Sequence, residues 1–235
     1  MTQQVVIDER FRGPPESGHG GYVSGVVAGL IGGTVEVTLR RPPPLGRPLQ
    51  VERLDGGQVV LRDSETIVAE GAPGTVDVQV PEPVTFAQAI EASKSFWGFD
   101  FHPFPTCFGC GPERAEGDGL RIFAGPVEGR DVVAAPWVPH KSLAGEVGTV
   151  REEFLWAALD CPGGPPLLPR PHGGRIVVLG RLAARVAGVI SPGERCVVVA
   201  WRLGREGRKL YSGSALFSQD SELRAVARAT WLVRM

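Results

Sequence analysis

GHGGYVSGVVAGLIGG, from Gly18 to Gly33, is the stretch of sequence that decides the fold of this chain. No residue from Gly20 to Gly33 is charged, and the apolar residues recur three and four positions apart, which predicts a helix. A helix without a charged face is expected to be buried. Each interior glycine costs a helix about 1 kcal/mol relative to alanine, so these glycines make sense only where something packs closely against them. We therefore predict a central helix wrapped by a sheet, with its amino end and its glycines presented to a ligand.

The order of predicted elements in the first half recurs in the second half. The first half has strand predictions over residues 5–7, 34–39, 49–54, 58–62 and 66–70, followed by a short connecting helix over 84–92. The second half has strand predictions over 121–123, 132–138, 175–186, 195–203, 209–218 and 223–233. Its helix is predicted over 149–160, with Thr149 as the N-cap and Glu152 completing a capping box. A strand, a helix and several antiparallel strands thus occur twice.

This repetition divides the chain into two units and a linker. The first unit is expected to span residues 1–95 and the second unit residues 121–235. Residues 96–120 form the linker, which is aromatic and irregular and includes Cys107-Phe108-Gly109-Cys110-Gly111-Pro112. The linker carries many large apolar side chains, so we expect it to pack on the core. A single large mixed domain is the alternative.

Composition excludes several classes of protein. The 235 residues are 43% hydrophobic and 22% charged, which is ordinary for a soluble globular protein, and a net charge of −1 gives no general surface for nucleic acid. The longest uncharged run is shorter than the roughly 20 residues of a membrane span. The amino-terminal residues lack a basic region followed by an apolar core, which predicts no signal peptide. Four scattered cysteines are too few for a disulfide framework, so we expect a cytoplasmic protein with no membrane partner.

The residues above resemble the hotdog-fold acyl-CoA thioesterases. The resemblance is carried by the His-Gly-Gly that opens a buried helix before an antiparallel sheet, by the stretch from Cys107 to Ile122, and by the Leu159-Asp160 helix end. It implies an α+β fold of the double-hotdog type. Two curled antiparallel sheets would each wrap a central helix, and the two sheets can join as one continuous sheet.

The resemblance also implies where a site should be. In the His-Gly-Gly type, the amino end of one helix faces a carboxylate of the other helix, nine positions after its histidine. Nine positions after His19 is Ala28, so the first helix lacks the acid, whereas Asp160 stands nine positions after Arg151 in the second helix. The halves are complementary and imply one complete site, with Arg151 and Ala28 marking a degenerate one.

The expected chemistry follows from these residue types. Backbone N–H groups at a helix start are unpaired and lie at the positive end of the helix dipole, so Gly20 and Gly21 are predicted to polarise a thioester carbonyl. Asp160 is predicted to act as general base on water, or less readily as a nucleophile, and His19 to orient the substrate. The alternatives are a tight loop before a capped helix and a helix-end carboxylate bonded to local backbone. We also expect three side chains to bind substrate, with an ordinary solvated helix edge as the alternative for the first two: Glu153, Trp156 and Tyr22.

Other motifs leave their interpretation open. Cys107 and Cys110 have metal-ligand spacing, but a single Cys-x-x-Cys lacks the second pair of a zinc site. Four other residues could complete such a site only by chance of folding: Cys161, Cys196, His102 and His140. A buried thiol pair is the favoured interpretation, zinc and a redox role are the alternatives, and no metal or cofactor is expected. His172-Gly173-Gly174 repeats the His-Gly-Gly letters before a strand and is interpreted as a loop. Basic residues beside the prolines either contact a CoA phosphate or solvate an edge strand: Arg40, Arg41 and Arg47.

Three functions are compatible with the pattern to different degrees. Hydrolysis of an acyl-CoA or related thioester is favoured, and a non-catalytic acyl-CoA or acyl-lipid binding protein is the alternative. A hotdog hydratase is disfavoured because no hydratase-type pairing of His and Asp on one loop and helix is found. Tandem fusion already internalises the usual hotdog dimer, so the expected state is a monomer or a homodimer.

Overall fold

The computed structural model describes residues 3–164 and 176–234. Three α-helices are present in this part of the chain: α1 (Gly20–Gly29), α2 (Phe86–Ser93) and α3 (Glu152–Asp160). The strands of the first half are β1 (Gln4–Val6), β2 (Val35–Leu39), β3 (Pro48–Leu54), β4 (Gln58–Asp63) and β5 (Thr66–Pro73). Those of the second half are β6 (Gly125–Pro126), β7 (Val133–Trp137), β8 (Ile176–Val186), β9 (Cys196–Glu206), β10 (Lys209–Phe217) and β11 (Leu223–Arg234).

The strands form one sheet of 11 strands in the order β1-β3-β4-β5-β2-β8-β11-β10-β9-β7-β6. From the centre outward the first half runs β2-β5-β4-β3-β1 and the second half runs β8-β11-β10-β9-β7-β6, so each strand of the first half has a counterpart in the second half, and among the described strands only β6 at the far edge has none. The halves meet where β2 pairs antiparallel with β8, from Val35 opposite Ala184 to Thr38 opposite Arg181. The predicted repeat and the predicted continuous sheet are both confirmed.

Helices α1 and α3 lie against this sheet and pack on each other. Helix α1 contacts β2, β4, β5 and β8, while α3 contacts strands β8 to β11. The helices are antiparallel, because Gly21 near the start of α1 lies against Asp160 at the end of α3, and Gly25 lies against Glu153 near the start of α3. A Cβ atom at Gly21 would lie 2.5 Å from Asp160 Cβ, and one at Gly25 would lie 2.5 Å from Glu153 Cα. These two glycines therefore face the second helix and not a ligand, which corrects the prediction for them.

Three local predictions are wrong. Helix α1 is shorter than predicted, because Leu30 caps it and the positive φ angles of Gly32 (88°) and Gly33 (74°) end the helical path. Residues 121–123 form no strand, since Arg121 has a φ of 55°.

The N-cap of α3 was also predicted at the wrong residue. It is Arg151, with no side-chain cap, and not Thr149. Hydrogen bonds outside the helix hold this segment: Arg151 N–H donates to Leu143 O of the preceding loop, and Val150 N–H donates to Ile190 O, which is far along the chain.

Helix α2 and the linker pack on the core, as expected of the linker. Helix α2 has a capping box between Thr85 and Gln88 and contacts β7 of the second half. In the linker, Phe108 is fully buried and its N–H donates to Arg12 O at 2.7 Å. The unit boundaries stay a prediction. The structure adds that α2, assigned by sequence to the first unit, lies on the second.

Candidate functional site

The amino end of α1 is built by His19. Its backbone is extended (φ −63°, ψ 124°), and its Nδ1 atom accepts a hydrogen bond from Tyr22 N–H at 3.2 Å. Its own N–H donates to Phe11 O at 2.7 Å, which anchors the chain entering the helix. His19 thus acts as the N-cap and takes one of the N–H groups that a helix start leaves without an intrahelical partner.

Asp160 reaches this helix start from the other half of the chain. Its Oδ2 atom accepts a hydrogen bond of 2.6 Å from Gly21 N–H and lies 3.4 Å from His19 Nδ1. Its Oδ1 atom is buried and has no hydrogen-bond partner among the described residues. Asp160 is 3% exposed and His19 is 2% exposed, so the pair lies in the interior. The structure brings together His19, Gly20, Gly21 and Asp160, as the sequence predicted, while their catalytic roles stay a prediction.

His19 and Arg151 hold equivalent N-cap positions, but only His19 makes a side-chain cap. His19 caps α1 and Arg151 caps α3, and the positions nine residues later are Ala28 and Asp160. Arg151 Nε lies 3.2 Å from a carboxylate oxygen of Glu153 at this second helix start. Neither Arg151 nor Ala28 supplies the histidine-and-acid pair that the other helix end has.

The pKa values of Asp160 and His19 are both shifted in this buried position. Removal from water raises the pKa of Asp160 to about 6, against the opposing effects of His19 and of the Gly21 N–H. Burial disfavours the charged form of His19, but the facing Asp160 and the Cys107 sulfur outweigh it, so the pKa of His19 is raised. Perturbed pKa values of this kind are typical of functional sites.

Gly20 has apolar side chains of both halves close around it. A Cβ atom there would lie 3.0 Å from Leu179 Cδ2 and 3.1 Å from Leu39 Cδ1. Leu39 belongs to β2 and Leu179 to β8, the strands at which the halves meet. As the first residue of α1, Gly20 has an N–H with no partner in its own helix.

The side chains predicted to bind substrate lie elsewhere. Tyr22 stacks on Phe11 with ring centroids 4.1 Å apart, and burial raises its pKa to about 12. Trp156 is fully buried, and its Nε1 atom finds no hydrogen-bond partner in the described part of the chain. Glu153 lies two turns before Asp160 and is paired with Arg151. Their substrate-binding roles stay predictions.

A cluster of sulfur and imidazole groups adjoins His19. The sequence left Cys161 and His102 open as partners of Cys107 and Cys110, but it did not connect them with His19. The Nε2 atom of His19 lies 3.2 Å from Cys161 Sγ, which lies 3.8 Å from Cys107 Sγ. Cys107 Sγ is in turn 3.8 Å from Cys110 Sγ, and His102 Nε2 is 3.3 Å from Cys110 Sγ. The sequence carried a signal for this, because Cys161 directly follows Asp160 and must lie near whatever Asp160 meets.

The cluster changes the acidity of its central thiol. Hydrogen bonds with the Cys110 and Cys161 thiols hold the pKa of Cys107 well below its usual range, with His19 adding to the effect. All three cysteines are buried, and none forms a disulfide. The Cys-x-x-Cys motif is therefore part of a larger group that contacts the candidate site.

The remaining sequence motifs contribute little to this site. Arg40 pairs with Glu70 and Arg47 pairs with Asp63 at exposed positions. His172-Gly173-Gly174 lies outside the described residues. Within the described residues, no helix combines the length and apolar character needed to cross a membrane.

Comparison with known proteins identifies the fold. No protein-family model matches the chain, and no curated protein matches it. Solved structures do match. A conserved protein of unknown function with a hotdog fold from Alicyclobacillus acidocaldarius is 10% identical with a TM-score of 0.62, over 99% of this chain and 92% of that one. A tesB protein from Mycobacterium avium subsp. paratuberculosis is 13% identical with a TM-score of 0.62, over 93% and 88%.

A third structure agrees with these two. A protein provisionally described as a thioesterase, from Novosphingobium aromaticivorans, is 16% identical with a TM-score of 0.60, over 99% of this chain and 95% of that one. Likeness at this level of identity establishes the fold and nothing finer. The chain has the hotdog fold in its double form, as the sequence resemblance implied.

Proposed function

We propose that this protein hydrolyses an acyl-CoA, or a related acyl thioester, at a single site between its two halves. The observation that carries the proposal is the placement of Asp160. A buried carboxylate from one half meets the amino end of a helix from the other half and has one oxygen without a partner. Such an arrangement supplies a base and a set of N–H donors to one small volume, as acyl transfer requires.

The backbone amides of Gly20 and Gly21 have different roles in this proposal. Gly21 N–H already donates to Asp160 Oδ2 and therefore orients the carboxylate. Gly20 N–H is the donor that polarises the thioester carbonyl, at the positive end of the α1 dipole. This differs from the sequence-based expectation, in which both amides bind the carbonyl. Removing one oxyanion donor typically costs a factor of about 10²–10³ in rate.

Asp160 is the general base. With a pKa of about 6, it is mostly ionised at neutral pH yet is a stronger base than an ordinary aspartate. Its Oδ1 atom takes a proton from water as the water oxygen attacks the carbonyl carbon. The tetrahedral intermediate then expels the thiolate of CoA, which recovers the proton from Asp160. His19 caps α1 and fixes the direction of the N–H groups.

The apolar residues around Gly20 suit the acyl part of such a substrate. Leu39 and Leu179 flank Gly20 at the seam between the halves, so an acyl chain whose carbonyl meets Gly20 N–H would contact both. Their burial from water on binding would contribute about 25 cal/mol per Å² of apolar surface.

The test is hydrolysis of a panel of acyl-CoA substrates of different chain length, with released CoA measured as free thiol. We expect at least one substrate to be cleaved and Asp160→Asn to lower kcat/KM at least about tenfold, because a general base is removed. Glu152→Gln is the matched control, since it makes the same change at an exposed position of the same helix. Full activity of Asp160→Asn would overturn the assignment of the base. Binding of an acyl-CoA without hydrolysis would favour the non-catalytic binding protein instead.

A further inference from the structure

We propose that this chain binds one zinc ion through Cys107, Cys110, Cys161 and His19. The ligand atoms of Cys107, Cys161 and His19 lie within 4.8 Å of one another, and Cys110 Sγ is 3.8 Å from Cys107 Sγ. Three cysteines and one histidine are a common ligand set of tetrahedral structural zinc. This proposal does not depend on thioester hydrolysis.

Two sulfur–sulfur distances from Cys107 match edges of a zinc tetrahedron, and the His19–Cys161 distance is close to a third edge. With Zn–S near 2.3 Å and Zn–N near 2.0–2.1 Å, a tetrahedral site has sulfur atoms about 3.8 Å apart and sulfur about 3.6 Å from nitrogen. The Cys107–Cys110 and Cys107–Cys161 sulfur pairs are both at 3.8 Å. His19 Nε2 is 3.2 Å from Cys161 Sγ, so a shift of a few tenths of an ångström brings that edge to its expected length.

The neighbours of the cluster are the partners that zinc ligands need. Metal-bound histidine usually donates its other ring N–H to a carboxylate. When His19 Nε2 binds the ion, Nδ1 carries the proton, and Asp160 Oδ2 lies 3.4 Å away to accept it. This tautomer gives up the cap on Tyr22 N–H.

A second histidine supports the sulfur atoms. His102 Nδ1 accepts a hydrogen bond from Phe104 N–H at 3.0 Å, which leaves Nε2–H to donate to Cys110 Sγ at 3.3 Å. A coordinated thiolate is stabilised by such a donor.

Metal binding accounts for the whole cluster, whereas a disulfide would not. A bond between Cys107 and either neighbour needs a sulfur separation near 2.05 Å and leaves the third thiol and His19 unexplained. Coordination involves no change of oxidation state. The ion binds three thiolates and one neutral imidazole, and three thiol protons pass to solvent.

The ion would join three parts of the chain that lie far apart in sequence. Cys107 and Cys110 belong to the linker, Cys161 follows the last residue of α3, and His19 caps α1. The backbone approaches closely at Gly109, where a Cβ atom would lie 2.6 Å from both Cys161 Sγ and His19 Nε2. Four protein ligands close the coordination sphere, so the ion holds the fold and offers no open position for substrate.

The first measurement is the metal content of the full chain, purified without a histidine tag from zinc-supplemented medium. We expect one zinc per chain by elemental analysis. We also expect X-ray absorption of the wild-type protein to give three sulfur ligands near 2.3 Å and one nitrogen near 2.0–2.1 Å. A wild-type protein without metal after this preparation would overturn the proposal, as would a Cys107–Cys110 or Cys107–Cys161 disulfide in its place.

Variants then identify the ligands. Cys161→Ser and His19→Asn are expected to lose zinc. Asparagine supplies an acceptor for Tyr22 N–H, so that the start of α1 is capped while the nitrogen ligand is removed. Cys196→Ser is the matched control, because Cys196 is a buried thiol on β9 outside the cluster, and it should retain one zinc per chain. His102→Gln should retain zinc with affinity lowered about 10–100-fold.

If the variants do not fold, the X-ray absorption spectrum of the wild-type protein is the deciding measurement. A spectrum with four sulfur ligands, or loss of zinc in Cys196→Ser, would contradict the ligand set.

Discussion

Replacing Asp160 with asparagine should stabilise the protein while it abolishes the proposed base. Burial raises the pKa of this acid from 3.8 to about 6, so the folded protein binds its proton more tightly than the unfolded chain does. The protonated acid makes its full contribution to the free energy of unfolding below about pH 4, and this contribution is lost as the pH rises through about 6. A shift of about two units corresponds to about 3 kcal/mol, because each unit is worth about 1.36 kcal/mol.

Asparagine keeps the shape of the side chain and can accept the Gly21 hydrogen bond, but it has no charge to bury. We therefore expect Asp160→Asn to exceed the wild type in free energy of unfolding by up to about 3 kcal/mol at pH 8, and by about half of that at pH 5. The assay is urea unfolding of both proteins from pH 4 to pH 8. Glu152→Gln, exposed on the same helix, serves as the control and should follow the wild-type curve.

One result would refute the reasoning. If the free energies of unfolding of wild type and Asp160→Asn change in parallel between pH 4 and pH 8, ionisation of Asp160 does not reduce the stability of the folded protein. The pKa argument for its role as a base would then fail, even if the substitution lowered activity.

Three further outcomes are expected. The rate of thioester hydrolysis should rise with pH through about 6 as Asp160 ionises, and a rate–pH profile without this step would contradict its role. Gly21→Ala should destabilise the fold by about 1–3 kcal/mol, because its Cβ would overlap the backbone of α3, whereas Gly29→Ala, with open space around its Cβ, should be neutral or slightly stabilising in the same urea assay. Ser214→Ala should cost about 1 kcal/mol in thermal or urea unfolding by removing a buried 2.7 Å hydrogen bond to Leu159 O, and an unchanged midpoint would contradict this.

The order of elements could be predicted from the residues, whereas the meeting of the two helix ends was implied by the resemblance to hotdog-fold thioesterases. The residue nine positions after His19 or Arg151 can be read directly from the sequence of one helix. The presence of an acid at Asp160 and its absence at Ala28 were therefore known without the structure. The glycine content of α1 predicted close packing correctly, because Gly21 and Gly25 both lie against a backbone. That the backbone belongs to α3, and not to a ligand, depends on how two distant helices pack.

Other features depended on contacts that the sequence does not contain. The letters around Thr149 are typical of a capping box, but Val150 N–H donates to Ile190 O, 40 positions away, and this tertiary contact outweighed the local preference. The members of the cysteine cluster could not be decided from the sequence for the same reason. Cys161 lies 54 positions from Cys107 and 142 from His19, so only the folded chain brings their side chains together.

The pairing of β2 with β8 within one chain has a genetic consequence. In a symmetric dimer of identical subunits, every substitution appears at both copies of a site, so one copy cannot change while the other is preserved. Here the two helix ends are encoded separately. Arg151 and Ala28 could therefore depart from the histidine-and-acid pattern without any change at His19 and Asp160, and the second helix end is free to evolve under selection for stability alone.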